Sequence, residues 1–204
     1  MAKAMDDAIL AIYQNGERIR PEQGYPVRLF LPGYEGNMNV KWLRRIKVTA
    51  EPTMTKDETS KYSDLQPNGR ALLFTFPMEV KSVITSPSGT QKMQGPGLYQ
   101  ISGMAWSGFG RVRRVEVSAD GGKTWAQAAL DGPVLPKAVT RFRMPWRWDG
   151  DPSVLQSRAI DETGAVQPSR PALMAARGAA FRYHYNAIQS WNVAAAGEVS
   201  NVYA

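Results

Sequence analysis

From residue 71 onward the chain is a series of short runs rich in β-branched and aromatic residues, each stopped by glycine, proline or aspartate. The runs at 71–76, 80–85, 98–106, 112–118, 124–128, 139–146 and 154–161 read as strands. Between them stand the turn formers Ser86-Pro-Ser-Gly89, Gly95-Pro-Gly97, Asp120-Gly-Gly122, Asp131-Gly-Pro133, Asp149-Gly-Asp-Pro152 and Glu162-Thr-Gly164. Short strands at this spacing predict a mainly β fold, an Ig-like β-sandwich. Asp120-Gly-Gly122 should be a tight hairpin turn, because glycine accepts the positive φ that such turns need.

The first third is patterned differently. Residues 5–13 carry Ile9, Leu10, Ile12 and Tyr13 as the core face of a short amphipathic helix, with Asn15-Gly16 marking its end. Val27-Arg-Leu-Phe-Leu31 reads as a strand, Pro32-Gly-Tyr-Glu-Gly36 as a turn, and residues 40–48 as renewed extended chain. The polar stretch from Thr53 to Asp64 has few strand formers and reads as a linker, so the chain divides near residue 55. There is no internal repeat, and the only biased tracts are the alanine-rich 172–180 and 194–196.

Composition excludes several classes. With 43% hydrophobic residues, six Trp, eight Tyr and six Phe, the 204 residues can build a real core, so wholesale disorder is ruled out. The net charge of +7 comes from 25 Lys and Arg that are scattered; some, such as Arg111 to Arg114 and Arg141 to Arg143, fall in or beside strands. Nucleic-acid binding calls instead for a basic stripe or helix with stacking aromatics, so no nucleic acid is expected. A basic surface suits an acidic protein partner or an oxyanion substrate, and solubility alone remains an equally simple use. No run is long enough for a membrane-spanning helix. The opening ten residues are too acidic, and too short in their apolar part, for a signal peptide.

Candidate chemistry is sparse. Arg28 and Lys41 lie at the two ends of the strand–turn–strand segment, which can fold them toward each other. A planar guanidinium and a point-charge ammonium together suit a phosphate-bearing ligand, although solvated charges beside a turn are the plain alternative. His184 is the only histidine, has no nucleophile elbow near it, and reads as a packed or hydrogen-bonded structural residue. No His, Asp or Glu spacing matches a metal site. Trp106, Trp125, Trp146 and Trp148 fall on or beside strands, where core or subunit contact is the default. Arg141, Arg143 and Arg147 could line an anion pocket, but ion pairs across a dimer are the simpler use. Cysteine is absent, which removes disulfides and any thiolate ligand.

Several motifs in order carry a resemblance. Gln23-Gly-Tyr-Pro-Val-Arg28, Pro32-Gly33 and Val40-Lys-Trp-Leu43 resemble the closing part of the molybdopterin-binding domain of the sulfite oxidase family, where a His usually stands at the first position. Gly33 to Arg45, Thr59-Ser-Lys-Tyr62, Ala105-Trp-Ser-Gly108, Val115 to Trp125 and Arg141 to Trp148 extend the likeness over nearly the whole chain. Within that family they resemble most the molybdenum subunits of bacterial sulfite (sulfane) dehydrogenases of thiosulfate oxidation. The resemblance implies an α+β molybdopterin-binding tail over residues 1–54, followed by an Ig-like dimerisation domain over 55–204. It implies that Gln23, Arg28, Asn39, Val40 and Lys41 hold the anionic end of a molybdenum–molybdopterin cofactor. No catalytic residue or metal ligand is expected in this chain itself, because the family's molybdenum-binding cysteine is missing, so these residues alone should be inactive.

The same resemblance implies a homodimer formed through the Ig-like domain, a c-type cytochrome subunit that receives electrons, a sulfur-carrier protein as a further candidate partner, and a periplasmic location for the complete enzyme. Family members place an arginine near the C-terminus beside the metal. The corresponding stretch, Asn186 to Trp191, carries Gln189 and Ser190, which favours a sulfane substrate over free sulfite. Two other readings stay open: an independent Ig-like interaction module without activity, and a truncated product whose first 50 residues lack sheet partners.

Overall fold

The computed structural model of the chain describes residues 1–53, 55–179, 183 and 185–203. His184, singled out above, lies outside them.

The N-terminal segment opens with α1 (Ala2–Asp6), β1 (Ile9–Ala11), β2 (Tyr13–Gln14), β3 (Glu17–Arg18) and β4 (Arg28–Phe30). The amphipathic helix expected over 5–13 is therefore replaced by strands. Asn15 and Gly16 both have positive φ, +53° and +83°, which is the turn that joins a two-residue hairpin, here β2 to β3. Asn-Gly closed a hairpin rather than a helix. Ile9, Leu10 and Ala11 pair antiparallel with Phe30, Leu29 and Arg28, and Ile9, Leu10, Ile12 and Tyr13 are exposed instead of facing a core. The renewed strand expected over 40–48 is also absent as a ladder, although Leu29 N–H donates to Val40 C=O and Leu43 N–H to Val27 C=O, each at 2.9 Å.

The stretch from Thr53 to Asp64 holds a short helix, α2 (Lys56–Ser60), and the start of β5 (Ser63–Leu65), which pairs with β6 (Ala71–Leu73). β6 is shorter than its sequence run because Phe74 and Phe76 sit at φ +56° and +41°, outside strand geometry.

Beyond it stand β7 (Lys81–Ser86), β8 (Gly97–Trp106), β9 (Val112–Ser118), β10 (Ala126–Gln127), β11 (Ala129–Leu130), β12 (Thr140–Trp148), β13 (Ser153–Asp161), α3 (Arg170–Arg177), β14 (Ser190–Val193) and β15 (Val199–Val202). They form two antiparallel sheets, β11-β12-β8-β7 and β10-β9-β13-β14-β15. The mainly β sandwich is thus the architecture read from the sequence. At Ala128 the chain steps from one sheet to the other, which divides the single run expected at 124–128 into β10 and β11.

Alternation along the strands sends Ile84, Ile101, Ala105, Phe142 and Trp148 inward from one sheet, and Val115, Val117, Leu155, Ala159 and Val193 from the other. Among the polar groups enclosed with these apolar residues, Gln167 makes the most cross-sheet bonds. The Gln167 amide oxygen accepts from Ser82 N–H (2.8 Å), Ser82 Oγ (2.7 Å) and Ala159 N–H (3.1 Å). Its nitrogen donates to the carbonyls of Ser82 (3.2 Å) and Ala187 (3.3 Å), so one side chain ties β7 to β13.

The N-terminal segment docks on the sandwich through backbone contact. Met78 N–H donates to Gly33 C=O, Glu35 N–H to Phe76 C=O, and Gly108 N–H to Met78 C=O, at 2.8, 2.8 and 2.6 Å. The approach is close enough that a Cβ on Gly108 would lie 2.2 Å from Gly33 O, so only glycine fits there. Lys137 adds an ion pair to Asp7 at 2.7 Å.

Candidate functional site

A 3₁₀ turn over Pro21–Gln23 precedes β4 and presents three carbonyls in succession. Trp42 Nε1 donates to Pro21 C=O (2.9 Å), Lys41 Nζ to Glu22 C=O (2.7 Å) and Arg28 Nη1 to Gln23 C=O (3.2 Å). Arg28 reaches across the loop with Nη2 to Asn39 C=O at 3.5 Å, while its Nε is buried without a hydrogen-bond partner. Arg28, at the start of β4, and Lys41, thirteen residues on in a stretch that is not a strand, are therefore folded onto one turn, the meeting expected from the sequence without its second strand.

The pivot is Gly24, buried and left-handed at φ +110°. A Cβ there would stand 3.0 Å from Lys41 Cα and Cβ and 3.2 Å from Arg28 Cβ. The two cationic stems are thus packed against the same glycine. An ammonium has three donors and Lys41 spends one on a carbonyl; a guanidinium has five, and Arg28 keeps capacity beyond its two contacts.

Asn39 plays its part through the backbone. Its side chain is consumed locally, with Oδ1 accepting from Leu31 N–H (2.7 Å) and Nδ2 donating to Glu35 C=O (2.7 Å) and Tyr34 C=O (3.3 Å). This clips the glycine-rich loop shut and aims the Asn39 carbonyl at Arg28. Val40 contributes its carbonyl to β4 and leaves its side chain exposed. Gln23 also borders a cavity of about 320 Å³ whose wall includes Arg18 and Arg20. The sequence reading passed over these two cations; their signal was the β2–β3 hairpin, which carries Arg18 to the same side as Gln23.

Where the N-terminal segment meets the sandwich, Glu35 is buried at 8% exposure and gathers a second polar cluster. Tyr183 Oη donates to Glu35 Oε2 at 2.5 Å and lies 3.1 Å from Asn37 Oδ1, and Thr75 Oγ1 donates to Glu35 Oε1 at 3.2 Å. Burial first, and then the Glu35 carboxylate, push the Tyr183 hydroxyl well above its ordinary range. A cavity of about 290 Å³ opens beside it, walled by Met78, Lys81 and Trp106 among others.

The three arginines of β12 do not share a pocket: Arg147 alone borders a hollow of about 570 Å³, with Asp149 in its wall. Arg141, Arg143 and Arg147 occupy alternate exposed positions on the outer face, and Arg143 pairs with Asp131 at 3.2 Å. Trp146 and Trp148 pack with Tyr99, at ring separations of 6.3–6.4 Å, and Trp125 lies 4.2 Å beneath the Arg158 guanidinium. Among the described residues no group of His, Asp and Glu is placed to hold a metal ion, and no helix is long and apolar enough to cross a membrane.

Residues 1–56 match the oxidoreductase molybdopterin binding domain, and residues 73–191 match the Mo-co oxidoreductase dimerisation domain. The NADH nitrate reductase of Solanum lycopersicum is 34% identical over 82% of this chain and 22% of its own length. The inducible NADH nitrate reductase 2 of Glycine max is 35% identical over 80% of this chain and 21% of its own. The crystal structure of the sulfane dehydrogenase SoxCD from Paracoccus pantotrophus superposes with a TM-score of 0.96 at 54% identity, covering 98% of this chain and 52% of that one. The chain spans about a fifth of the length of these reductases and about half that of the solved chain.

Proposed function

Because the chain belongs to the sulfite oxidase family of molybdenum–molybdopterin oxidoreductases, we propose that it supplies the cofactor anchor and the dimerisation sandwich of a sulfur-oxidising dehydrogenase. The observation that carries this is the meeting of Arg28 and Lys41 on Gly24. A buried guanidinium Nε without a partner, and a cradle that a single Cβ would fill, fit an anionic group laid across the two cations.

In this reading Arg28 and Lys41 bind the phosphate of the cofactor, Gln23 contacts it from the turn, and Asn39 and Val40 hold the loop that positions both cations. When bound, the cofactor supplies two-electron oxidation of a sulfur substrate with oxygen drawn from water, the electrons leaving to a c-type cytochrome subunit. The chain's own residues bind and orient. With no cysteine in its 204 residues it offers molybdenum no thiolate, so these residues alone should not turn over. The division falls at 54/55, with the sandwich from residue 55 pairing two subunits of a periplasmic enzyme, and the 54% identity to a sulfane dehydrogenase favours a sulfane substrate, sulfite being the alternative.

The test is the pterin content of the complete enzyme carrying this chain, read as the fluorescence of the oxidised, released pterin. Charge-assisted hydrogen bonds are worth about 1.5–3 kcal/mol, so Arg28→Gln and Lys41→Gln should each lower retention roughly 10- to 100-fold under a dilution wash. Full retention in the double variant would refute the assignment. The absence of cysteine favours a second reading, a dimerising module without cofactor. That reading predicts a dimer in sedimentation, with no pterin in any variant.

A further inference from the structure

Lys81 leaves the end of β7 between two cavities, and the second of them is formed entirely by sandwich residues. It encloses about 200 Å³ and is walled by Lys81 and Arg170, the amides of Gln189 and Asn201, and the rings of Tyr185 and Tyr203. No carboxylate is among the described residues that line it. Lys81 Nζ donates to Tyr185 C=O at 2.6 Å and lies 5.4 Å from the Tyr185 ring centre. The Arg170 guanidinium lies 4.6 Å from the Tyr203 ring centre, so its face is taken and its N–H edge is left for a ligand. Neither cation pairs with an acid among the described residues; of the acids in the neighbouring cavity, Glu35 bonds Tyr183 and Glu79 pairs through Oε1 with Arg177, its Oε2 being left without a hydrogen-bond partner.

The wall also takes in Ile188 and Ser190, neither of which carries a charge. The fold brings two cations to it from β7 and from the first residue of α3. Unneutralised positive charge in a partly desolvated hollow is costly, and burial indeed holds the Lys81 amine below its ordinary value. An anion would offset that cost.

We propose that this cavity binds a small tetrahedral dianion, of the sulfate, thiosulfate or phosphate class, between Lys81 and Arg170. Two cations with no acid beside them among the described residues call for two negative charges, and a guanidinium edge takes two oxygens of one oxyanion side by side. The cavity is smaller than the roughly 300–1,000 Å³ of pockets for organic ligands, which also favours an inorganic ion. Gln189 and Asn201 add neutral amide donors, the Asn201 amide being steered by its own bond to Ser190 C=O at 2.9 Å.

The experiment is calorimetric titration of the full chain with sodium sulfate, against sodium chloride and sodium acetate at matched ionic strength. Saturable sulfate binding is expected, weakened at least about 10-fold in Arg170→Gln and in Lys81→Gln and partly restored in Arg170→Lys. The Arg28→Gln/Lys41→Gln double variant removes the other anion site and should leave the cavity's binding in place. A loss seen only in that double variant would overturn the cavity site while leaving the cofactor anchor standing. Sulfate heats no larger than those of chloride, equal binding of acetate, or undiminished binding in Arg170→Gln would also overturn it. Arg170 starts a surface helix, so this variant decides the matter even if Lys81→Gln does not fold.

Discussion

Gly24→Ala tests the geometry on which the anchor depends. The residue sits at φ +110°, where a Cβ costs about 1–2 kcal/mol from the backbone alone. The new carbon would also lie 3.0 Å from Lys41 Cα and Cβ and 3.2 Å from Arg28 Cβ, closer than side chains tolerate without moving. Overpacking of this kind adds about 1–3 kcal/mol. The sum, about 2–5 kcal/mol, falls on the segment from Pro21 to Leu43 and spares the sandwich, because the three atoms nearest the Cβ belong to Arg28 and Lys41. Hydrogen exchange reads it directly at the amides of Leu29 and Leu43, which donate across the hairpin to Val40 and Val27. At about 1.4 kcal/mol per decade their protection should fall at least roughly 30-fold, while amides of β8 and β13 keep theirs. Gly36→Ala is the control: its Cβ would meet nothing within 4 Å and its φ is ordinary, so exchange should not change. Unaltered protection at Leu29 and Leu43 in Gly24→Ala would mean that the two stems do not rest on this glycine, and the proposed anchor would lose its foundation.

Two further substitutions probe the sandwich. Gln167→Leu removes the acceptor of Ser82 and Ala159 N–H and the donor to two carbonyls inside the core. At about 1–3 kcal/mol for each strongly affected group, a loss of about 3–5 kcal/mol is expected, visible as a melting point lower by roughly 6–20 °C; a drop below about 3 °C would contradict the network's role. Glu116 lies under Arg158 (2.6 Å) and beside Arg114 (3.0 Å). Burial alone would raise its carboxyl, but the hydrogen bonds from Arg158 and Arg114 outweigh it and hold the group below 4.5. A depressed folded-state value makes this a stability contribution present above pH 4.5 and lost on acidification. Glu116→Gln should therefore show a flatter decline of melting temperature between about pH 6 and pH 3, whereas parallel curves for the two proteins would disprove the linkage.

Much of the sandwich could be read from local chemistry, because its strands are short apolar runs between obligatory turns. Six of the seven expected runs coincide with strands to within a few residues, and the seventh, 124–128, fails where the chain changes sheets at Ala128. The helix α3 and strands β14 and β15 went unread, although Ser169 caps α3 by accepting from Ala172 N–H and Pro171 follows in its first turn. The error at residues 5–13 has a physical cause. A run of Ile, Leu, Ile and Tyr fits either period over so few residues, and the deciding feature was the left-handed pair Asn15-Gly16.

Sequence alone was enough to establish the mainly β class, the family through its ordered motifs, and the approach of Arg28 to Lys41 across a turn, although the strand expected to follow that turn is absent. Each of these is written in residue types whose preferences act over a few neighbours. Tertiary structure alone decided what those residues touch: that Gly24 seats both cations, that Asn39 meets Arg28 through its carbonyl, and that Arg18 and Arg20 border a hollow with Gln23. It also decided that Lys81 and Arg170, 89 positions apart in sequence, share one cavity whose described lining holds no acid. Contacts between residues so distant depend on how two sheets stack and where a helix lands, and no local preference encodes that meeting.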